Sequence, residues 1–301
     1  MYSIVLLYML LASTFTIGKA VLAYTQPIFF IGIRMIIGGG LLLAYIRFFH
    51  KSLWKLERKH ARLCAQIMFF HIYCAFVLEF IALEHMTSAK ACLLYSFSPF
   101  ITALFAYCLW NERLNTKKCI GLSVGLLGFV PILMATSADE GTTFLRISVP
   151  EITLLLAVTA GAYGWLLVQD MMRKGYSPLM INGIGMLGGG CMALITAFIF
   201  ESTNQQPIMT DWPLFLVYTA ALILITNVIF YNLYGMLLHV YSATFISFAG
   251  FMCPLFAAFY GWLFLGEHIS AAFFISVAII TLGLYLFYQQ ELEDRKSIYN
   301  K

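Results

Sequence analysis

The chain is short of charge. Its 301 residues hold only 18 Lys and Arg and 14 Asp and Glu, 11% in all, where a soluble domain would carry roughly a quarter. No H-E-x-x-H, G-x-S-x-G or paired aspartates occur within its apolar stretches, so a membrane-embedded protease or hydrolase is disfavoured. The cysteines (Cys64, Cys74, Cys92, Cys108, Cys119, Cys191, Cys253) form no C-x-x-C pair and read as small apolar packing residues. No metal and no cofactor is expected. The longest polar connections, 49–65 and 137–150, are too short to bury a core, so no separate soluble domain fits. A channel would more naturally be an oligomer of fewer spans with a repeated filter motif, and is also disfavoured.

What the chain has in abundance is apolar surface. Hydrophobic residues make up 61% and the mean hydropathy is +0.87. Ten apolar segments lie near 2–23, 27–48, 66–84, 87–110, 117–136, 151–172, 178–200, 211–234, 240–265 and 270–289. Each approaches the ~20 residues that a helix needs to cross hydrocarbon. Lipid offers no partner to a free backbone amide, so these segments are predicted to be helices. Met1–Leu11 lacks a basic start and a clear small-x-small site, and reads as part of the first span.

Lys and Arg set the orientation. Arg47, Lys51, Lys55, Arg58, Lys59 and Arg62 follow span 2; Arg113, Lys117 and Lys118 follow span 4; Arg173 and Lys174 follow span 6. Arg295, Lys296 and Lys301 end the chain. All fall on one side if spans alternate, which places both termini in the cytoplasm. The net charge of +4 thus describes topology, and no nucleic-acid partner is expected.

The chain also reads twice. Ser88-Ala89, Pro99, Glu112 and Gly128 recur as Ser242-Ala243, Pro254, Glu267 and Gly283, about 155 residues later. More weakly, Pro27 and Gly38-Gly39-Gly40 match Pro178 and Gly188-Gly189-Gly190. The glycine triplets let helices approach closely in lipid, and no lysine or strand accompanies them to make a phosphate loop. Five spans per half is an odd number, so the second half enters the membrane in the opposite sense. The expected fold is an all-α membrane protein of ten transmembrane helices in two inverted five-helix repeats. Residues 1–136 form the first repeat, 151–290 the second, and 291–301 a cytoplasmic tail. Such halves are the signature of a secondary transporter, with its substrate near the midplane where they meet.

On these residues, with Phe15, Lys19, Arg34, Arg113-Leu114, Gly121 and Leu265-Gly266, the chain resembles the EamA-type branch of the drug/metabolite transporter superfamily. The resemblance covers essentially the whole length and is nearly silent about substrate. It implies a carrier of the bacterial inner (plasma) membrane working by alternating access; a homodimer is left open. Two departures stand out. Ser13-Thr14 replaces a frequent Trp-Gly, and Glu79 and Lys90 are ionisable where apolar residues are more usual, which suggests a particular charged substrate. The expected substrate is a small polar or zwitterionic metabolite, an amino acid or derivative. Some family members exchange S-adenosylmethionine for S-adenosylhomocysteine, and that ligand is the best named candidate. The alternative is a multispecific drug or metabolite exporter.

Ionisable groups inside spans cost roughly 2.5–3.5 kcal/mol each at mid-bilayer and call for a reason. Glu79, among Phe76, Phe80 and Ile81, is either paired with another helix or a cation or proton site. Arg34 is either a helix-to-helix tie or a contact for a substrate carboxylate, and Lys19 and Lys90 lie toward span ends. Aromatic and amide residues share helical faces: Asn227, Tyr231 and Tyr234 in span 8; Ala162, Trp165 and Gln169 in span 6; Tyr95 and Pro99 in span 4, beside Ser98. Glu79, Arg34, Lys90, Tyr95, Trp165, Asn227 and Tyr231 are the substrate-binding candidates. Lys19, Pro99, Glu112, Pro254 and Glu267 are read as gating or structural, with Asn115 and Ser270 as N-caps of spans 5 and 10.

Overall fold

The computed structural model describes residues 2–54, 56–86, 88–111, 115–128, 130–131, 148–201, 210–265 and 271–299. Within them the chain is helical, with no strand. α1 spans Tyr2–Val21 and α2 Pro27–Phe49. α3 is one continuous rod of Ala61–Gln66, a π-helical stretch Ile67–Cys74, and Ala75–Glu84. α4 (Ser88–Tyr95) and α5 (Ser98–Trp110) share the fourth apolar segment, and α6 is Thr116–Leu127. α7 (Val149–Arg173) and α8 (Pro178–Phe200) follow. α9 joins Trp212–Leu222, a second π-helical stretch Ile223–Phe230, and Tyr231–Leu238. α10 (Ala243–Ala249) passes through a 3-10 turn, Gly250–Met252, into α11 (Cys253–Leu265), and α12 is Ala271–Tyr299.

Seven stretches among the described residues are long and apolar enough to cross a membrane. They are α1, α2, Arg58–Glu84, Lys90–Trp110, α7, α8 and Trp212–Leu238; Ala243–Ala257 and Phe274–Gln290 are shorter apolar helices. Their outer faces carry Leu41, Leu104, Leu156, Ile195, Leu216 and Val217, each more than half exposed. In water that surface would be a large liability; in lipid it is the solvated face.

Helix ends follow local chemistry. Ser177, Asp211 and Ser242 accept from Met180, Leu214 and Phe245 amides and start α8, α9 and α10. Ser148 and Glu151 form a reciprocal capping box at α7. Asn115 precedes α6 in extended conformation but makes no side-chain cap, and Ser270 lies outside the described residues. The start of α2 is satisfied from afar: Glu201, just past α8, accepts the Ile28 and Phe29 amides at 2.7 Å each. Burial pushes the Glu201 carboxyl above its usual range, while those two N–H donors pull it the other way.

The core follows from helix pairing. α2 lies along α8, α6 along α12, α3 against α7, and α1 against α9 and α11. Glycines permit two close approaches of backbone to backbone. A Cβ on Gly39 would sit 2.6 Å from the Leu187 amide nitrogen, and one on Gly283 2.6 Å from that of Gly125. The fourth and ninth segments both break ahead of a proline. Pro99 and Pro254 each occupy the second position of a new helix, α5 and α11, since proline suits a helix's first turn and not its interior.

Candidate functional site

The helices surround a cavity of about 870 Å³ of empty space, its open mouth included. Its walls come from both halves of the chain. Tyr8 and Thr14 face it from α1, Arg34 from α2, Phe76 and Glu79 from α3, and Tyr95 and Ser98 from α4 and α5. Trp165 faces it from α7, Thr226, Tyr231 and Tyr234 from α9, and Ser247 and Cys253 from α10 and α11.

Two ionisable side chains, an acid and a base, stand in this wall. Glu79 accepts a hydrogen bond from the Tyr95 hydroxyl at 2.6 Å. Arg34 is only 1% exposed, and its guanidinium lies 5.4, 4.9 and 5.2 Å from the ring centroids of Phe30, Phe76 and Phe80. Cation–π contact of this kind stabilises a desolvated guanidinium by about 2 kcal/mol. Its Nε and Nη2 find no hydrogen-bond partner among the described residues. Buried donors without a partner cost about 1–3 kcal/mol each.

Aromatic rings form the other wall. Trp165 and Tyr234 stack with centroids 3.7 Å apart at 16°, and Tyr231 sits 5.0 Å from Trp165. His71 lies behind them, 1% exposed, with its ring 4.4 Å from Trp165 and 5.2 Å from Tyr231. It fits because Gly164 leaves room: a Cβ there would fall 2.5 Å from the His71 Cβ.

Of the seven binding candidates, Glu79, Arg34, Tyr95, Trp165 and Tyr231 meet at this cavity. Asn227 and Lys90 do not line it. Asn227 is fully buried and donates to the Met35 and Met186 sulfurs. It lies in the π-helical stretch of α9, where the α-helical spacing that would align it with Tyr231 and Tyr234 no longer holds. Lys90 pairs with Glu151, the residue that also closes the α7 capping box. Lys19 donates to the Leu83 and Glu84 carbonyls at 2.6 and 2.8 Å and so caps the end of α3. Pro99 and Pro254 are buried at the two helix breaks, and Glu112 and Glu267 lie outside the described residues.

Tyr8 and His71 were not among the sequence candidates. Tyr8 donates from its hydroxyl to the Ile246 carbonyl across the halves. One tyrosine in an apolar helix carries no sequence signal. His71 is different: an imidazole eight residues from Glu79 within one span was legible as a second polar intrusion. Among the described residues no group of three or more His, Cys, Asp or Glu could hold a metal ion.

Comparison with known proteins adds a second line. The model of the EamA-like transporter family matches residues 1–134 and again 149–289. A protein of Chlamydia muridarum named S-adenosylmethionine/S-adenosylhomocysteine transporter is 33% identical over 286 residues, covering 94% of this chain and 89% of that protein. A protein of the same name from Chlamydia trachomatis serovar L2 is 34% identical over 286 residues, covering 94% of this chain and 87% of its own length. A solved crystal structure shares the fold with a TM-score of 0.71, covering 96% of each chain at 17% identity.

Proposed function

The chain belongs to the EamA-like transporter family, and on that premise we propose that it exchanges S-adenosylmethionine for S-adenosylhomocysteine across the bacterial inner membrane. It is a multi-pass membrane protein and a transporter. The substrate rests on one observation above the rest: a single cavity brings together Glu79, Arg34 and the Trp165–Tyr231–Tyr234 rings. An S-adenosyl amino acid carries a carboxylate, an ammonium, a purine ring and, in the methylated form, a sulfonium. The open guanidinium nitrogens of Arg34 suit the carboxylate. Glu79, held by Tyr95, suits the ammonium or sulfonium. The aromatic wall suits the purine and adds cation–π attraction for the sulfonium. The names of the chlamydial relatives support the same substrate.

The transport cycle follows from architecture. The ten crossings are the seven long helices with α6, the α10–α11 pair and α12, in two inverted repeats, 1–136 and 151–290, with both termini cytoplasmic. Two matches to one family model, each covering about half the chain, support the duplication. Inverted halves give inward-open and outward-open states by exchanging roles around a fixed central site.

The test is counterflow in proteoliposomes. Vesicles loaded with unlabelled S-adenosylhomocysteine should accumulate labelled S-adenosylmethionine saturably, and unloaded vesicles should not. Uptake that is equal with and without internal substrate would rule out exchange.

A further inference from the structure

Two contacts cross between the halves beside the cavity. Ser98 Oγ and Ser247 Oγ are 2.8 Å apart, and Thr102 donates to Ser247 at 3.3 Å. Close by, the Sγ atoms of Cys92 and Cys253 are 3.7 Å apart. The 155-residue step that carries Pro99 onto Pro254 also carries Cys92 onto Ser247 and Ser98 onto Cys253. The two contacts are thus one contact, exchanged between the halves, built of hydroxyls in one copy and thiols in the other. Hydroxyls donate and accept strongly, whereas thiols do both weakly. The cavity therefore has a hydrogen-bonding edge and a soft apolar edge where the repeat alone would make them alike.

The hydroxyl edge has an unused donor. Thr102 donates to Ser247, and Ser98 and Ser247 share a second bond in which either hydroxyl can be the donor. When Ser247 donates, Ser98 keeps its own proton and a free lone pair, and both Ser98 and Ser247 line the cavity. A hydroxyl that can donate to one oxygen and accept from its neighbour matches a vicinal diol. We propose that Ser98, backed by Ser247 and Thr102, recognises the ribose diol of the substrate and fixes which way round the adenosyl group sits. This assignment rests on the exchange reading above and adds specificity residues to it. The charged and aromatic walls select the amino acid and the purine, and the serine edge separates ribosyl from deoxyribosyl ligands.

The test compares binding of S-adenosylhomocysteine and its 2′-deoxy counterpart to the purified full chain by titration calorimetry. The wild type should prefer the ribosyl ligand by about tenfold, the scale of one or two net hydrogen bonds. Ser98→Ala should bind both ligands alike, at the deoxy affinity, and Ser98→Thr, which keeps the hydroxyl, should keep the preference. A preference that survives in Ser98→Ala, or its absence from a wild type that binds both ligands, would overturn the diol assignment. If Ser98→Ala does not fold, loss of the preference in Ser98→Thr would overturn it instead. A wild type that binds neither ligand would reject the exchange reading itself, and the diol assignment with it.

Discussion

At the scale of the residue, Glu79 and Lys90 look alike in the sequence and differ in the fold. Each is an ionisable group in an apolar segment, yet Glu79 faces the cavity and Lys90 faces Glu151. Glu79→Gln keeps shape and loses charge, so S-adenosylmethionine should bind about tenfold more weakly, the scale of one charge-assisted bond. S-adenosylhomocysteine lacks the sulfonium and should lose less. Calorimetric titration of both ligands checks this, and unchanged affinity for both would remove Glu79 from the site. Lys90→Met leaves Glu151 buried without its cation and should cost about 2–4 kcal/mol of stability with ligand affinity unchanged. Adding Glu151→Gln should recover part of the loss, read as melting temperature in detergent. No recovery would mean that the pair is not coupled.

At the scale of the element, close helix approach and helix winding decide what the side chains can do. Gly283 meets backbone on the facing helix, whereas a Cβ on Gly40 would meet nothing within 4 Å. Gly283→Ala should therefore force α6 and α12 apart and cost about 1–3 kcal/mol, while Gly40→Ala should be neutral or slightly stabilising. Thermal unfolding of the two variants side by side is the measurement, and equal melting points would contradict the packing account. Winding matters as much as spacing. The π-helical stretches in α3 and α9 hold His71 and Asn227, both fully buried, and shift the phase of the helical turns beyond them. Face assignments drawn with a constant α-helical period therefore succeed for Tyr231 with Tyr234 and fail for Asn227.

At the scale of the whole molecule, the proposed inverted repeat makes a topological prediction. Reporter fusions at the termini and at the 49–65 and 173–177 loops should read cytoplasmic, and fusions at 137–150 and 201–210 external. An external terminus would sink the five-plus-five arrangement. Aqueous access gives a second view. In a background whose native cysteines are replaced, a cysteine at Tyr231 should be labelled by a polar thiol reagent, with protection by S-adenosylhomocysteine. A cysteine at Leu224, which is 56% exposed on the outer face of the same helix, should stay unlabelled in lipid. Labelling of Leu224→Cys alone would place the cavity on the wrong side of α9.

Read alone, the chain already shows its membrane class, its long apolar helices, the repeated spacing and the unusual residues. Each depends on local composition or on a repeated spacing: twenty apolar residues need a helix in lipid whatever their neighbours, and Pro99 and Pro254 interrupt their segments from within. Glu79 and Arg34 stand out because ionisable groups in hydrocarbon are costly wherever the chain goes, and Trp165 because it shares a helical face with Gln169. Which of them share a space depends on how the helices pack. Lys90 leaves the site because Glu151, distant in sequence, lies within reach of it; Asn227 leaves because its helix winds differently there. Tyr8 and Ser247 enter because α1 and α10 meet across the halves, a contact that no single segment specifies. Partners far apart in the chain meet only through packing, and packing decides whether a buried polar group is bound within the fold or open to a ligand.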